Sequence, residues 1–288
     1  MTTSLITGCS TGIGLATAVH LAAHGHTVYA SIRDEASGDA LLAAAAEAGA
    51  EVVVLSLDVN DPESIRDGVG HVLATAGGLD VLVNNAGVGD LSTVEETTDA
   101  DLLQMFQTNV FGPIAMIRAV LPTMRSAGSG TIVNVSSVSA RIVSALSGPY
   151  AATKYAMEAI TQAVAVEGAA YGIRSFAIEP GFIRTPMLTK ALSTLPVRGG
   201  PYDTVASFIR SLYEDGLDGG GDPSDVAKAI ATAIESEDAT IQRPVGPAAD
   251  WIIAGRAAAP DAAWIDLWKS RTQEEFGEGF QELFGDAP

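Results

Sequence analysis

Only one cysteine, Cys9, occurs in 288 residues. No disulfide can form within such a chain, and an oxidising compartment is not implied. Positive charge is scarce: 16 Lys and Arg stand against 35 Asp and Glu, for a formal net charge of −19. A field of that sign repels phosphate backbones and argues against a nucleic-acid partner. Its plain meaning is a solvated acidic surface that favours solubility. No apolar run reaches the roughly 18–20 residues needed to span a bilayer. The opening MTTSLITG has neither the basic start nor the apolar stretch of a signal peptide. A cytoplasmic protein with no membrane span is expected. The four histidines (His20, His24, His26, His71) fall in the first quarter, and HExxH and CxxC spacings are absent. No metal site is therefore expected.

Core-forming residues are plentiful, at 47% hydrophobic against 18% charged. Short β-branched runs read as strands at 5–7, 28–31, 52–55, 81–83, 132–135 and 175–178, with a seventh at 240–245. Most carry successive apolar residues instead of a strict alternation, which suits strands covered on both faces. Ala-rich segments between them predict helices near 13–24, 35–48, 62–76, 99–126, 150–171 and 224–236. This alternation predicts one doubly wound α/β domain around a seven-stranded parallel sheet. Two regions break the rhythm. Residues 186–222 mix apolar side chains with Pro196, Gly199, Gly200, Pro201 and Gly219 to Gly221, and read as a mobile lid with helical pieces. After Gly246 comes a helical extension, 247–288. In it Trp264, Leu267 and Trp268 share one face, and Phe276, Phe280, Leu283 and Phe284 another. Such faces belong to a core or to a subunit interface.

Leu5 to Gly14 reads LITGCSTGIG: a strand, a glycine turn and a helix start. Free N–H groups and the positive dipole end at a helix N-terminus accept a pyrophosphate. Gly8 permits the tight turn, Gly12 lets the backbone approach phosphates, and Gly14 lets helix and strand pack closely. Cys9 within the turn reads as a small spacer, since neither a base nor a resolving cysteine accompanies it.

The turn resembles the Thr-Gly-x3-Gly-x-Gly of the short-chain dehydrogenase/reductase family, whose fold is of the Rossmann type. Asn84-Asn85-Ala86-Gly87, Tyr150-x3-Lys154, Ser137 thirteen residues before that tyrosine, and Pro180-Gly181 match further motifs of the family in order. The similarity covers residues 4–187. It implies a hydride transfer between nicotinamide and a carbonyl or alcohol carbon, and a homodimer or homotetramer. The implied cofactor contacts are Gly8, Ser10, Thr11, Gly12, Ile13, Gly14, Arg33, Asp58, Val59, Asn85, Ala86, Gly87, Tyr150, Lys154, Pro180, Gly181, Ile183 and Thr185. The implied catalytic set is Asn109, Ser137, Tyr150 and Lys154, with Ser136 or Ser139 as alternatives to Ser137. In this scheme Asn109 helps order a water relay to Lys154, and Ser137 holds the substrate oxygen.

Tyr150 and Lys154, four apart on a helix, lie on one face. A nearby ammonium favours the phenolate of a phenol whose free pKa is about 10. At the end of the second strand the family's ribose-binding carboxylate position is Ile32, followed by Arg33. That favours NADP(H), while NAD(H) stays possible if Asp34 is the ribose ligand instead of a helix cap. The lid's Met187, Leu188, Leu192, Leu195, Tyr202, Phe208, Leu212 and Tyr213 point to a small apolar carbonyl or alcohol substrate. The stretches TGCSTGIG and VYASIRD resemble the branch that contains 17β-hydroxysteroid and retinol dehydrogenases. Two rival readings share the motifs: a 3-oxoacyl thioester reductase, and a catalytically silent NADP(H)-binding sensor.

Overall fold

The computed structural model describes residues 1–195 and 200–286. The lid positions Pro196 and Gly199 lie outside the described residues. Seven parallel strands, β1 (Thr3–Ile6), β2 (Thr27–Ile32), β3 (Val52–Ser56), β4 (Val81–Asn84), β5 (Gly130–Val135), β6 (Ile173–Pro180) and β7 (Gln242–Val245), form one sheet in the order β3-β2-β1-β4-β5-β6-β7. All seven expected strands are present, with ends displaced by one or two residues. Adjacent residues serve opposite layers. Ile6, Val83 and Val133 pack with Ala18 and Leu21 of α1 (Gly12–Ala23), Leu41 of α2 (Asp39–Glu47) and Ile230 of α9 (Pro223–Glu235). Leu5, Leu82 and Ile132 pack on the other side with Val69 of α3 (Pro62–Ala76), Val120 of α5 (Gly112–Ala127) and Val164 of α6 (Gly148–Gly168). Burial on both faces is why the strands read as unbroken apolar runs.

Strand order reverses between β1 and β4, and both the glycine turn and the Asn-Asn-Ala-Gly segment leave the sheet at that switch point. Ligand clefts of doubly wound sheets open there.

The helix expected over 99–126 is not continuous. α4 (Asp99–Phe106) passes through a wider π turn at Gln107–Phe111 before α5 begins. The cause is local. Asn109 sits in the turn with its amide committed to the Val88 backbone, and a Cβ on Gly112 would stand 2.8 Å from the Val59 carbonyl oxygen. π turns are a recurrent device at functional sites.

The lid region folds as α7 (Pro186–Ser193) and α8 (Asp203–Asp218), and the extension as α10 (Ala249–Ala258), α11 (Asp261–Leu267) and α12 (Gln273–Phe284). The two aromatic faces of the extension meet on the lid. Phe276 stacks on Phe208 of α8 at 4.6 Å, Phe280 stacks on Phe284 at 4.4 Å, and Trp264 meets Trp268 edge-on. The Trp251 indole N–H donates to the Phe284 carbonyl at 2.8 Å. Phe276 is 1% exposed, so its removal would cost about 3–5 kcal/mol.

Candidate active site and dinucleotide cleft

Two adjoining hollows open at the switch point. The first is a cleft over the glycine turn, lined by Gly8, Ser10, Thr11, Gly12, Ile13, Arg33, Val59, Asn85, Ala86, Gly87 and Thr185 of the expected set. Gly8 and Gly12 have φ of +73° and +59°, and a Cβ on Gly8 would lie 2.8 Å from Ala86 Cα. Gly14 lines neither hollow. A Cβ there would stand 2.3 Å from the Gly8 carbonyl oxygen, so it serves the close packing of helix on turn. Thr11 is the N-cap of α1, yet its side chain makes no capping bond, which leaves the hydroxyl and the helix N-terminus facing the cleft. Cys9 is fully buried, its thiol donates to the Ile6 carbonyl, and burial pushes its pKa far up. It is an inert spacer.

Asn85 is tied inward. Its amide donates to the Thr7 and Gly8 carbonyls at 2.8 and 3.1 Å, and the Thr7 hydroxyl accepts from the Asn85 and Ala86 N–H groups. It therefore fixes the glycine turn to the end of β4. Asp58 lines neither hollow; its carboxylate accepts from the Asn60 N–H at 2.9 Å. Asn60 and Thr108 take the places at the rim. At the end of β2, Arg33 is exposed in the cleft and makes no ion pair among the described residues. Asp34 instead accepts from the Ala36 N–H at 3.0 Å, as the cap of the next turn. Lys190, on α7, also reaches this cleft and was missed by sequence reasoning. Its signal was its place one turn after Pro186 and Met187 on the same helix.

The second hollow holds Ser137, Tyr150, Lys154, Pro180, Gly181 and Ile183, and shares Ile13, Asn85, Gly87 and Thr185 with the first. Ser137 lies two residues past β5 and caps the short turn that follows, where its Oγ accepts from the Ser139 N–H at 3.1 Å and keeps its own hydrogen to donate. Ser136 also lines the hollow, with its buried hydroxyl unpartnered. α6 starts as expected, with Ser147 at the cap and Pro149 in the first turn, but the Ser147 hydroxyl donates to the Ser144 carbonyl instead of capping. Leu146 just before it is held at φ 60°, a left-handed conformation that costs a β-carbon residue about 1–2 kcal/mol.

Burial pushes the Tyr150 phenol up to about 12, and a hydrogen bond from Ser137 only partly opposes this. The Lys154 ammonium is not among the causes of this shift. The Lys154 Nζ stands 5.6 Å from the centroid of the Tyr150 ring and donates to the Val135 carbonyl at 2.9 Å. Burial lowers Lys154 itself to about 8, partly offset by Glu158 one turn on. Glu158 is 4% exposed and accepts from the Gln242 amide at 3.0 Å. The Asn109 amide donates to the Val88 carbonyl and the Thr153 hydroxyl, and its oxygen accepts from the Val88 N–H. Its side chain thus holds the chain between the two hollows.

Beyond Asp90, Ser139 and Ser144, the second hollow is mainly apolar, walled by Leu188, Ala191, Ile209 and Leu212 of the lid and by Ile252, Trp264, Trp268 and Phe280 of the extension. A proton-bearing phenol, a hydroxyl donor and an ammonium thus meet at the junction of a glycine-turn cleft and an apolar cavity. The family model for short chain dehydrogenases matches residues 2–195. The chain belongs to the short chain dehydrogenase family. It is an oxidoreductase of that family, whose members act on alcohols and carbonyls. Bovine (Bos taurus) retinol dehydrogenase 8 is 36% identical over 273 residues, covering 91% of this chain and 86% of the relative. A 3-ketodihydrosphingosine reductase of Bacteroides thetaiotaomicron is 33% identical, covering 84% and 87%. The crystal structure of a short-chain dehydrogenase from Streptomyces avermitilis superposes with a TM-score of 0.77 at 33% identity, over 96% of this chain and 97% of that one. Other solved relatives of this fold carry NAD+, NADP or NADH. No helix among the described residues is long and apolar enough to cross a membrane.

Proposed function

We propose that this protein is an NADP(H)-dependent oxidoreductase acting on an apolar ketone or secondary alcohol, with Tyr150 as general acid and base. The observation that carries the reading is Tyr150 set beside Ser137 where the apolar cavity opens into the glycine-turn cleft. The cleft fits a dinucleotide: a Cβ would fill the cradle at Gly8, and the N-terminus of α1 is uncapped by its own threonine. NADP(H) is favoured because Arg33 faces the cleft beside Ile32 with no ion pair among the described residues, while the Asp34 carboxylate is spent on a local turn.

The dinucleotide, when bound, supplies the hydride donor or acceptor. With a pKa near 12, Tyr150 stays protonated at pH 7 and gives its phenolic proton to the substrate oxygen in the reducing direction. Ser137 donates a hydrogen bond to the same oxygen. Lys154 is mostly charged at pH 7 and holds the coenzyme side of the cleft. Asn109 is a positioning residue through Val88.

The apolar walls support an apolar substrate, in keeping with the retinol and 3-ketodihydrosphingosine named for two relatives. Residues 1–246 form the catalytic domain in this reading, and 247–288 close the far end of its cavity through Phe280, Trp264 and Trp268. It is a cytoplasmic homodimer or homotetramer. Support for assembly comes from apolar side chains left exposed near α4 to α6, with Leu103 at 67% and Phe111 at 51%. The test is coenzyme oxidation by purified protein against aromatic, steroid and long-chain ketones. Turnover of apolar ketones with a higher kcat/KM for NADPH than NADH is expected. Absence of turnover across the panel, or a preference for NADH, contradicts the reading.

A further inference from the structure

We infer that Asp90 recognises the substrate by pairing its carboxylate with a protonated amine carried beside the reacting carbon. The inference rests on the proposed function, and narrows the apolar substrate to an amino ketone or amino alcohol with an apolar remainder.

Asp90 follows the Asn-Asn-Ala-Gly segment and lines the same cavity as Tyr150. Its neighbours fix its position from both sides. Gly89 lies against the Tyr150 ring, so close that a Cβ there would touch Cε2 at 3.5 Å. Leu91 is 1% exposed and its N–H donates to the Thr194 hydroxyl at 3.0 Å, tying the loop to the end of α7. The carboxylate is thus held between the proton donor and the lid.

The Asp90 Oδ1 is buried without a hydrogen-bond partner, and Asp90 makes no ion pair among the described residues. Glu179, the other carboxylate near this end of the sheet, is paired with Arg141 at 3.2 Å. An ionised carboxylate only accepts hydrogen bonds, so a ligand that carries a donor into this cavity would satisfy it. Apolar walls strengthen a charge–charge contact and penalise an uncompensated charge, which favours an ammonium over a neutral hydroxyl. The cavity's own cation, Lys154, is engaged at the Val135 carbonyl. The position of Gly89 on the Tyr150 ring sets the amine close to the carbon that reacts.

The experiment compares three matched substrates near neutral pH: 2-dodecanone, its 1-hydroxy derivative and its 1-dimethylamino derivative. The wild-type protein should show a kcat/KM at least about tenfold higher for the amine than for the parent ketone, mostly through KM. Asp90→Asn, nearly isosteric, and Asp90→Leu should each collapse that ratio toward one, with NADPH titration reporting that both variants are folded. A wild-type protein that does not favour the amine overturns the inference, as do variants that lower all three substrates equally. An equal preference for the hydroxy derivative, lost with the amine's in Asp90→Asn, overturns the cationic assignment. If wild type binds NADPH and turns over none of the three, the proposed function fails, and the inference falls with it.

Discussion

Raising the pH from 7 to 9 should discharge Lys154, and Glu179, near 7, completes its ionisation over the same step. Burial holds its ammonium near 8 instead of 10.5. One unit below that value about nine-tenths of the side chain is charged, and one unit above it about a tenth. Tyr150, near 12, does not titrate in this window, and guanidinium groups stay charged throughout. A charge-assisted hydrogen bond from Lys154 to bound coenzyme is worth about 1.5–3 kcal/mol, or roughly 10–100-fold in Kd. Because the apparent Kd scales with the inverse of the competent fraction, the loss at pH 9 is capped at about tenfold. NADPH fluorescence titration at a series of pH values between these limits reads it directly. Lys154→Met should bind weakly at pH 7 and show a flat profile. Glu158→Gln removes the charge that raises Lys154, so its profile should fall at lower pH than wild type. A flat wild-type profile, or a Lys154→Met variant that keeps the slope, would refute the reasoning.

Arg33→Ala should shrink the preference for NADPH over NADH in kcat/KM by roughly 10–100-fold, the worth of one contact to phosphate; an unchanged ratio would bring Asp34 forward as the ribose ligand. Glu179 is raised to about 7 by burial first and then by Glu158, with Arg141 opposing and Asp250 adding a smaller push. Its folded value exceeds the unfolded 4.5, so the folded state holds the extra proton between about 4.5 and 7 and loses stability from this group as pH rises. Glu179→Gln cannot ionise, so its Tm relative to wild type should climb between pH 5 and pH 8. A Tm difference independent of pH would show that Glu179 does not titrate in the folded protein.

The sheet was legible because its strands are buried on both faces: Leu5 and Ile6, or Leu82 and Val83, serve opposite cores, so apolar residues run on without alternation. The glycine turn and the Ser137, Tyr150 and Lys154 triplet were legible as motifs, and the chain brings all three residues of the triplet to one hollow. The π turn at Gln107–Phe111 was not, because the apolar spacing of 99–126 continues through it; what opens the helix is the long-range hold of Asn109 on Val88. The direction of the Lys154 side chain was not legible, because four-residue spacing fixes a shared helix face but not where the ammonium turns, here to the Val135 carbonyl. Asp90 belongs to none of the motifs in the sequence. Its place is set through its neighbours Gly89 and Leu91, which meet Tyr150 and Thr194, both distant in sequence.

Tyr150→Phe tests the central claim most directly, since it keeps the ring and removes the one hydroxyl proposed to exchange a proton with the substrate oxygen. Stopped-flow hydride transfer on a responsive ketone, alongside NADPH titration by fluorescence, separates chemistry from binding. The account predicts near-normal NADPH affinity with turnover reduced by about 10²–10⁴-fold, the range typical of losing a general acid. A variant that binds NADPH normally and reduces the ketone at close to the wild-type rate would contradict it, and Tyr150 would not be the acid.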